Sequence, residues 1–278
     1  MSSPQPGPPI FIRHIALPQD HGSWVFLLSP LLIGLFAGGE FSLATDFLVL
    51  AALAAFLIRQ PVTIAVKAYN GRRSRRDLPA ARFWMVVYAL LGLAALAGLV
   101  RLGFSYILLL ALPGAPVFAW HLYLVSRRAE RRQAGVEIIA SGVLALAAPA
   151  GLWVGLGSPD PSGWWLFVLT WLQSAASIVY AYLRLEQRDL AEMPALPSRL
   201  RMAWRALLYT TFNLLVVTIL SLMDILPPFL VAPYALQWLE TLWGTFKPAI
   251  GVKPTAIGIR QLVVSSLFTA LFILVWRI

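Results

Sequence analysis

The chain has 278 residues, of which 59% are hydrophobic and 12% charged, with a net charge of +10. Soluble domains carry roughly 25% charged residues, so this chain cannot cover a folded surface with polar groups and needs lipid as its solvent. Cysteine is absent, which excludes disulfides, thiolate catalysis, Cys-ligated zinc and iron–sulfur clusters. The arginine excess does not point to nucleic acid, because the basic clusters are separated by long apolar runs rather than gathered on one polar surface.

In chain order, Met1 to Pro9 is small, polar and proline-rich, and it lacks the charged and apolar regions of a secretory signal. Residues 1–16 therefore read as a disordered cytoplasmic tail, and 17–278 as a single integral membrane domain. Crossing the hydrocarbon core takes about 20 mostly apolar residues. Nine runs meet that length: 22–39, 46–69, 83–100, 104–125, 135–156, 163–184, 202–222, 226–246 and 258–277. The expectation is an all-α polytopic membrane helix bundle of about nine transmembrane helices. Gly38-Gly39, Ser158 to Pro161 and Pro227-Pro228 mark turns, and short connections predict tight antiparallel hairpins over 83–125 and 202–246.

Charge placement gives the orientation. Basic clusters follow every second run: Arg72, Arg73, Arg75 and Arg76; Arg127, Arg128, Arg131 and Arg132; Arg184 to Arg205; and Lys247, Lys253 and Arg260. Lysine and arginine are retained in the cytoplasm during insertion. Nine crossings then place the N-terminus in the cytoplasm and the C-terminus outside, with only Arg101 and Arg277 among 22 basic residues on the outer side. Trp164, Trp165 and Trp276 fit an interfacial aromatic belt at outer boundaries. The inner loops leave no room for a nucleotide-binding domain, and neither GxxxxGK[ST] nor GxGxxG after a strand occurs.

Polar groups within apolar runs are expensive and so mark candidate sites. Asp20 and His21, before Gly22-Ser23-Trp24, form either a helix start with an N-cap or a carboxylate–imidazole pair for proton handling. Arg59 and Gln60 precede Pro61 within the second run, with Lys67 about two turns beyond Arg59 and Asn70 after it. A centrally placed arginine costs at least about 2.5–3.5 kcal/mol, so Arg59 either snorkels to the interface or, with Lys67, forms an anion-receptive track. Arg184 and Glu186, with Tyr180 and Tyr182, end the sixth run, where a topogenic role competes with a site role. His121, Glu137, Asn213 and Glu240 are further polar candidates. Glu240, between apolar neighbours, seeks a cation, and Arg59 is one candidate partner. The three histidines show no HxxxH or HExxH spacing, so neither a metal site nor a cofactor is indicated.

Leu17-Pro18-Gln19-Asp20-His21-Gly22-Ser23-Trp24 resembles the opening of the YwiC-like family of bacterial membrane proteins. The resemblance continues in Arg59-Gln60-Pro61, in Tyr180 through Glu186, and in Lys253 through Arg260. A looser, architectural resemblance is to UbiA-type prenyltransferases, which have nine helices and catalytic motifs at the cytoplasmic sides of helices two and six. That resemblance implies two Asp-rich motifs holding Mg²⁺ against a prenyl diphosphate. The corresponding stretches here carry Lys67, Asn70, Arg72 and Arg73, then only Glu186 and Asp189.

Three functional readings follow. The first is a membrane protein with an inward-facing polar and basic cavity that binds a lipid or anionic amphiphile. There Arg59, Gln60, Lys67, Asn70, Arg184 and Glu240 would bind. The second is a UbiA-like transferase without Asp-rich motifs, with cations on the phosphate of an isoprenoid and Asp20, His21 or Glu186 moving protons. The third is a secondary transporter, against which stands the lack of two equal repeats. Membrane lipids are the expected partners in each.

Overall fold

The computed structural model describes residues 12–18, 21–129 and 133–277, and among them the regular structure is entirely helical. After a one-turn helix α1 (Arg13–Ala16) come α2 (His21–Gly38), α3 (Leu43–Tyr69), α4 (Leu78–Arg101), α5 (Ile107–Ala111) and α6 (Gly114–Ser126). Then follow α7 (Ala134–Ala145), α8 (Ala147–Leu156), α9 (Ser162–Gln187), α10 (Leu196–Leu222), α11 (Val231–Phe246) and α12 (Pro254–Trp276). With α5–α6 and α7–α8 each counted as one broken rod, the described residues contain nine rods, one for each apolar run. Seven rods are long and apolar enough to cross a membrane. Of the other two, α11 has 16 residues and rises about 24 Å at 1.5 Å per residue.

The boundaries differ from the apolar runs where charge intervenes. Helix α4 starts at Leu78 and α10 at Leu196, so Arg82, Arg199 and Arg201 lie within helical turns rather than in loops. Both helices open with proline in the first turn, where its missing N–H has no partner to lose. The break between α7 and α8 has the opposite cause. Pro149 cannot donate to the carbonyl of Ala145, and the chain tightens there through Leu146 N–H to Val143 O at 3.3 Å. Helix α3 continues through Pro61.

The described residues fall into two compact units, one within Met1–Asp20 and Ser42–Gln133, the other within His21–Phe41 and Ala134–Ile278. In the first, α3 packs against both α4 and α6. The hairpin expected over 83–125 is therefore not made, because α3 takes the face of small residues (Ala80, Ala81, Ala95) that α4 buries. Within the stretch expected as a tail, Arg13–Ala16 form α1. Ile15 is buried with Ile64, Ala65, Ala80 and Ala81. The Gln60 amide donates to His14 O at 3.0 Å, and the Tyr88 hydroxyl donates to Ala16 O at 3.0 Å.

In the second unit, α2 and α8 approach through glycines four apart on each helix, Gly34 and Gly38 against Gly151 and Gly155. A Cβ at Gly34 would stand 2.1 Å from the Ala148 carbonyl oxygen, and one at Gly155 2.7 Å from the Gly38 Cα. Glycines at this spacing let backbones meet where lipid supplies no hydrophobic drive between helices. Ser29 and Thr269 share a buried hydrogen bond of 2.6 Å that ties α2 to α12. The hairpin over 202–246 forms as α10 packed on α11. Before α9, Asp160 accepts from the hydroxyl and the backbone N–H of Ser162, which holds its carboxyl below the usual carboxylate range.

Candidate functional site

Helices α9, α11 and α12 of the second unit, with Val252 from the connection between α11 and α12, line a half-open cavity of about 430 Å³. Its polar floor is Tyr180 and Arg184 from α9, Glu240 and Trp243 from α11, and Arg260 and Gln261 from α12. The wall is aliphatic: Val252, Ala256, Ile257 and Ile259. Helix α11 reaches this place with a buried stripe at helical spacing, Pro233, Tyr234, Gln237, Thr241, Gly244 and Thr245. Glu240 lies at the border of that stripe, one turn before Gly244.

Glu240 is the hub. Arg260 grips it side-on, Nε to Oε1 at 2.6 Å and Nη2 to Oε2 at 2.7 Å. The Tyr180 hydroxyl donates to Oε1 at 2.8 Å. Bidentate charge-assisted pairs of this kind are among the stronger hydrogen-bonded contacts. The Arg260 guanidinium also lies 3.5 Å from the centroid of the Trp243 ring, and the Arg184 guanidinium 5.2 Å from the same ring. Tyr180 fits here because Gly244 has no side chain: a Cβ there would stand 2.3 Å from the tyrosine hydroxyl oxygen. The cation expected for Glu240 from Arg59 is thus supplied by Arg260, twenty residues along the chain.

Arg184 has a different task. It is only 5% exposed, and its Nη1 donates to Gln187 Oε1 at 2.8 Å, Gly244 O at 2.9 Å and Lys247 O at 2.8 Å. Arg199 Nη1 donates to Phe246 O at 2.9 Å. The last carbonyls of a helix have no partner within it and carry the negative end of its dipole. Arginines from α9 and α10 therefore close the C-terminus of α11. Gln187 completes the closure, giving Nε2 to Gly244 O at 3.1 Å and accepting from Ala249 N–H at 3.3 Å.

Behind the cavity runs a seam of neutral polar groups. Gln261 donates to Ser177 O, Gln237 donates to Gln173 O and to the Ser177 hydroxyl, and Gln173 donates to the same hydroxyl, each at 3.0 Å. These bonds tie α9, α11 and α12 around one axis.

The remaining candidates are dispersed. Asp20 lies outside the described residues, and so does the side chain of His21, which opens α2. Glu186 is exposed on α9 and does not line the cavity. Arg59, Gln60, Lys67 and Asn70 follow one another along α3 and its end in the first unit. Arg59 is half-buried with its guanidinium 5.2 Å from the Phe56 ring centroid, and Lys67 is half-buried. Gln60 holds α1, and Asn70 donates to Val66 O at 2.9 Å at the end of its own helix. Glu137 accepts from the Tyr182 hydroxyl at 2.7 Å, and Asn213 donates to Leu172 O at 2.8 Å, both joining neighbouring helices. Of the candidates, Tyr180, Arg184 and Glu240 meet at the cavity. Arg260, Trp243 and Gln261 complete it; in the sequence Arg260 reads as one of a basic cluster at the start of the last apolar run, and only the start of α12 at Pro254 places it seven residues into a helix.

The rods and their polar interior define a multi-pass helical membrane protein. Its fold is similar to that of digeranylgeranylglyceryl phosphate synthase, a UbiA-type prenyltransferase, whose structure matches with a TM-score of 0.57 at 12% identity over 95% of this chain and 96% of the other. The family model for YwiC-like protein matches residues 17–152. The uncharacterized protein YwiC of Bacillus subtilis (strain 168) is 29% identical over 163 residues, 57% of this chain and 61% of the relative. The similarity thus spans less than two thirds of the relative's length.

Proposed function

We propose that this protein binds a lipid or another anionic amphiphile, with the head group in the α9–α11–α12 cavity and the apolar tail along its aliphatic wall. The observation that carries the reading is Arg260: fixed by Glu240 and Trp243, yet 43% exposed at its side chain, it stands between a polar floor and the wall of Val252, Ile257 and Ile259. Arg59 and Lys67 would serve as a separate basic track on α3 toward anionic head groups. We further assign the N-terminus to the cytoplasm and the C-terminus to the outside of a bacterial cytoplasmic membrane, on the arginine-rich turns. The cavity then lies at the cytoplasmic ends of its helices.

A transferase reading draws on the fold likeness, and fold does not fix reaction. The Mg²⁺ that such a fold implies needs clustered hard oxygen ligands. The residues here do not fit it: Asp77 is engaged by Arg73 at 2.6 Å, Asp189 by Arg188 at 3.2 Å, and Glu240 by Arg260. Among the described residues no three His, Asp or Glu side chains come together.

The test is extraction of the full chain in its native lipid patch, followed by profiling of retained lipids. Wild type is expected to retain an anionic amphiphile above its share of the bulk membrane, and the Glu240→Gln/Arg260→Gln double variant to lose that enrichment. Identical profiles for both proteins, each matching the bulk membrane, would overturn the proposal.

A further inference from the structure

The charge and donor geometry of the cavity specify more than an anion. Two guanidinium groups, Arg184 and Arg260, and one carboxylate, Glu240, line it, and the Tyr180 hydroxyl donates its proton to that carboxylate. The lining therefore carries one net positive charge. Lys247 and Lys253 nearby are exposed to solvent and do not line the cavity.

Arg260 has five N–H groups in a fixed fork. Its Nε and one hydrogen of Nη2 are engaged by Glu240. The other edge of the fork, between Nη1 and Nη2, keeps two parallel N–H groups at the spacing of two oxygens on one phosphate or carboxylate. Stacking on Trp243 and the bidentate bond to Glu240 fix the plane of that edge. Ala256 and Ile257, in the first turn of the 23-residue α12, bring the positive end of that helix to the same cavity. Ile259, on the wall, is 58% exposed and continues into the exposed Leu262 and Val263, so the wall runs on along the outer face of α12.

Resting on the reading proposed above, we infer that the cavity selects an amphiphile whose head carries a single negative charge, a phosphodiester lipid, over zwitterionic lipids and over isoprenoid diphosphates. A zwitterionic head would bring its own cation beside Arg184 and Arg260. A diphosphate would bring further negative charge against the Glu240 carboxylate, which is 10% exposed at its side chain and cannot turn away without leaving Arg260. One phosphodiester satisfies both the open edge and the charge count. Its two acyl chains leave along Ile259.

The experiment is native mass spectrometry of the full chain in detergent, titrated with dioleoylphosphatidylglycerol, dioleoylphosphatidylcholine, farnesyl diphosphate and inorganic phosphate, with Arg260→Lys and Glu240→Gln beside wild type. Wild type is expected to hold phosphatidylglycerol about tenfold more tightly than phosphatidylcholine or farnesyl diphosphate, and Arg260→Lys to lose most of that margin with the fork. Removing the one negative charge in Glu240→Gln is expected to raise farnesyl diphosphate binding severalfold, a change that mere loosening of the fold would not produce. Equal or tighter binding of farnesyl diphosphate or phosphatidylcholine by wild type would overturn the inference and leave amphiphile binding standing. Inorganic phosphate displacing the lipid at equal concentration would also overturn it, by showing a site for the free anion. Lipid binding indifferent to Arg260 would sink the underlying reading itself.

Discussion

Replacing Arg184 by methionine separates a structural from a ligand-holding role for that buried cation. Three acceptors lose its Nη1: Gln187 Oε1, Gly244 O and Lys247 O. Two of them keep another donor, since Gln187 Nε2 still reaches Gly244 O and Ala249 N–H still reaches Gln187 Oε1. Lys247 O alone loses its partner, and because it is only part-buried the cost lies near the lower end of the roughly 1–3 kcal/mol of an acceptor left unmade. Charge-assisted bonds worth about 1.5–3 kcal/mol each are lost as well, but the change also removes the desolvation penalty of a buried ion, several kcal/mol in size. Glu240 keeps Arg260 and Tyr180, so no uncompensated charge is created. The net expectation is a loss of about 2–3 kcal/mol. Arg199→Met, which removes one exposed bond to Phe246 O, should cost about 0.5–1 kcal/mol. Reversible unfolding in mixed micelles, following the SDS fraction at the midpoint, measures both. Equal midpoints for wild type and Arg184→Met, or a larger loss in Arg199→Met, would refute the assignment of Arg184 as the closure of α11.

Other perturbations test the packing and the topology. Gly34→Ala sets a methyl 2.1 Å from the Ala148 carbonyl oxygen and should lower stability by at least about 1–3 kcal/mol through overpacking. Gly258→Ala, where a Cβ meets nothing within 4 Å, should raise it by about 0.5–1 kcal/mol by stiffening α12; the same micelle unfolding assay reads both signs. Because the chain has no cysteine, single cysteines report sidedness cleanly. Ser74→Cys should react with a membrane-impermeant maleimide only after the cells are opened, and Ser158→Cys in intact cells; labelling of both from one side would remove the proposed orientation.

The rods were legible because each apolar run is close to the bilayer thickness, and a chain with so few charges has few alternatives. Their starts were not, since Arg82, Arg199 and Arg201 look like loop charges although their backbones are helical. Glu240 was legible as a carboxylate in need of a cation. Its partner was not, because pairing of α11 with α12 decides between Arg59 and Arg260, and both lie in apolar surroundings. The capping role of Arg184 depends on carbonyls about sixty residues away, which no local pattern announces. Gly38 reads in the sequence only as part of the Gly38-Gly39 turn; its role with Gly34, Gly151 and Gly155 in the close contact of α2 and α8 shows only once the two helices are paired.

The most direct measurement is an experimental density map of the protein in native-lipid nanodiscs. The account predicts an elongated density with its head against the open edge of Arg260 and its tail running past Ile259 along α12. A cavity without such density, or a lipid head seated on the far side of Glu240 with Arg260 turned away, would contradict it.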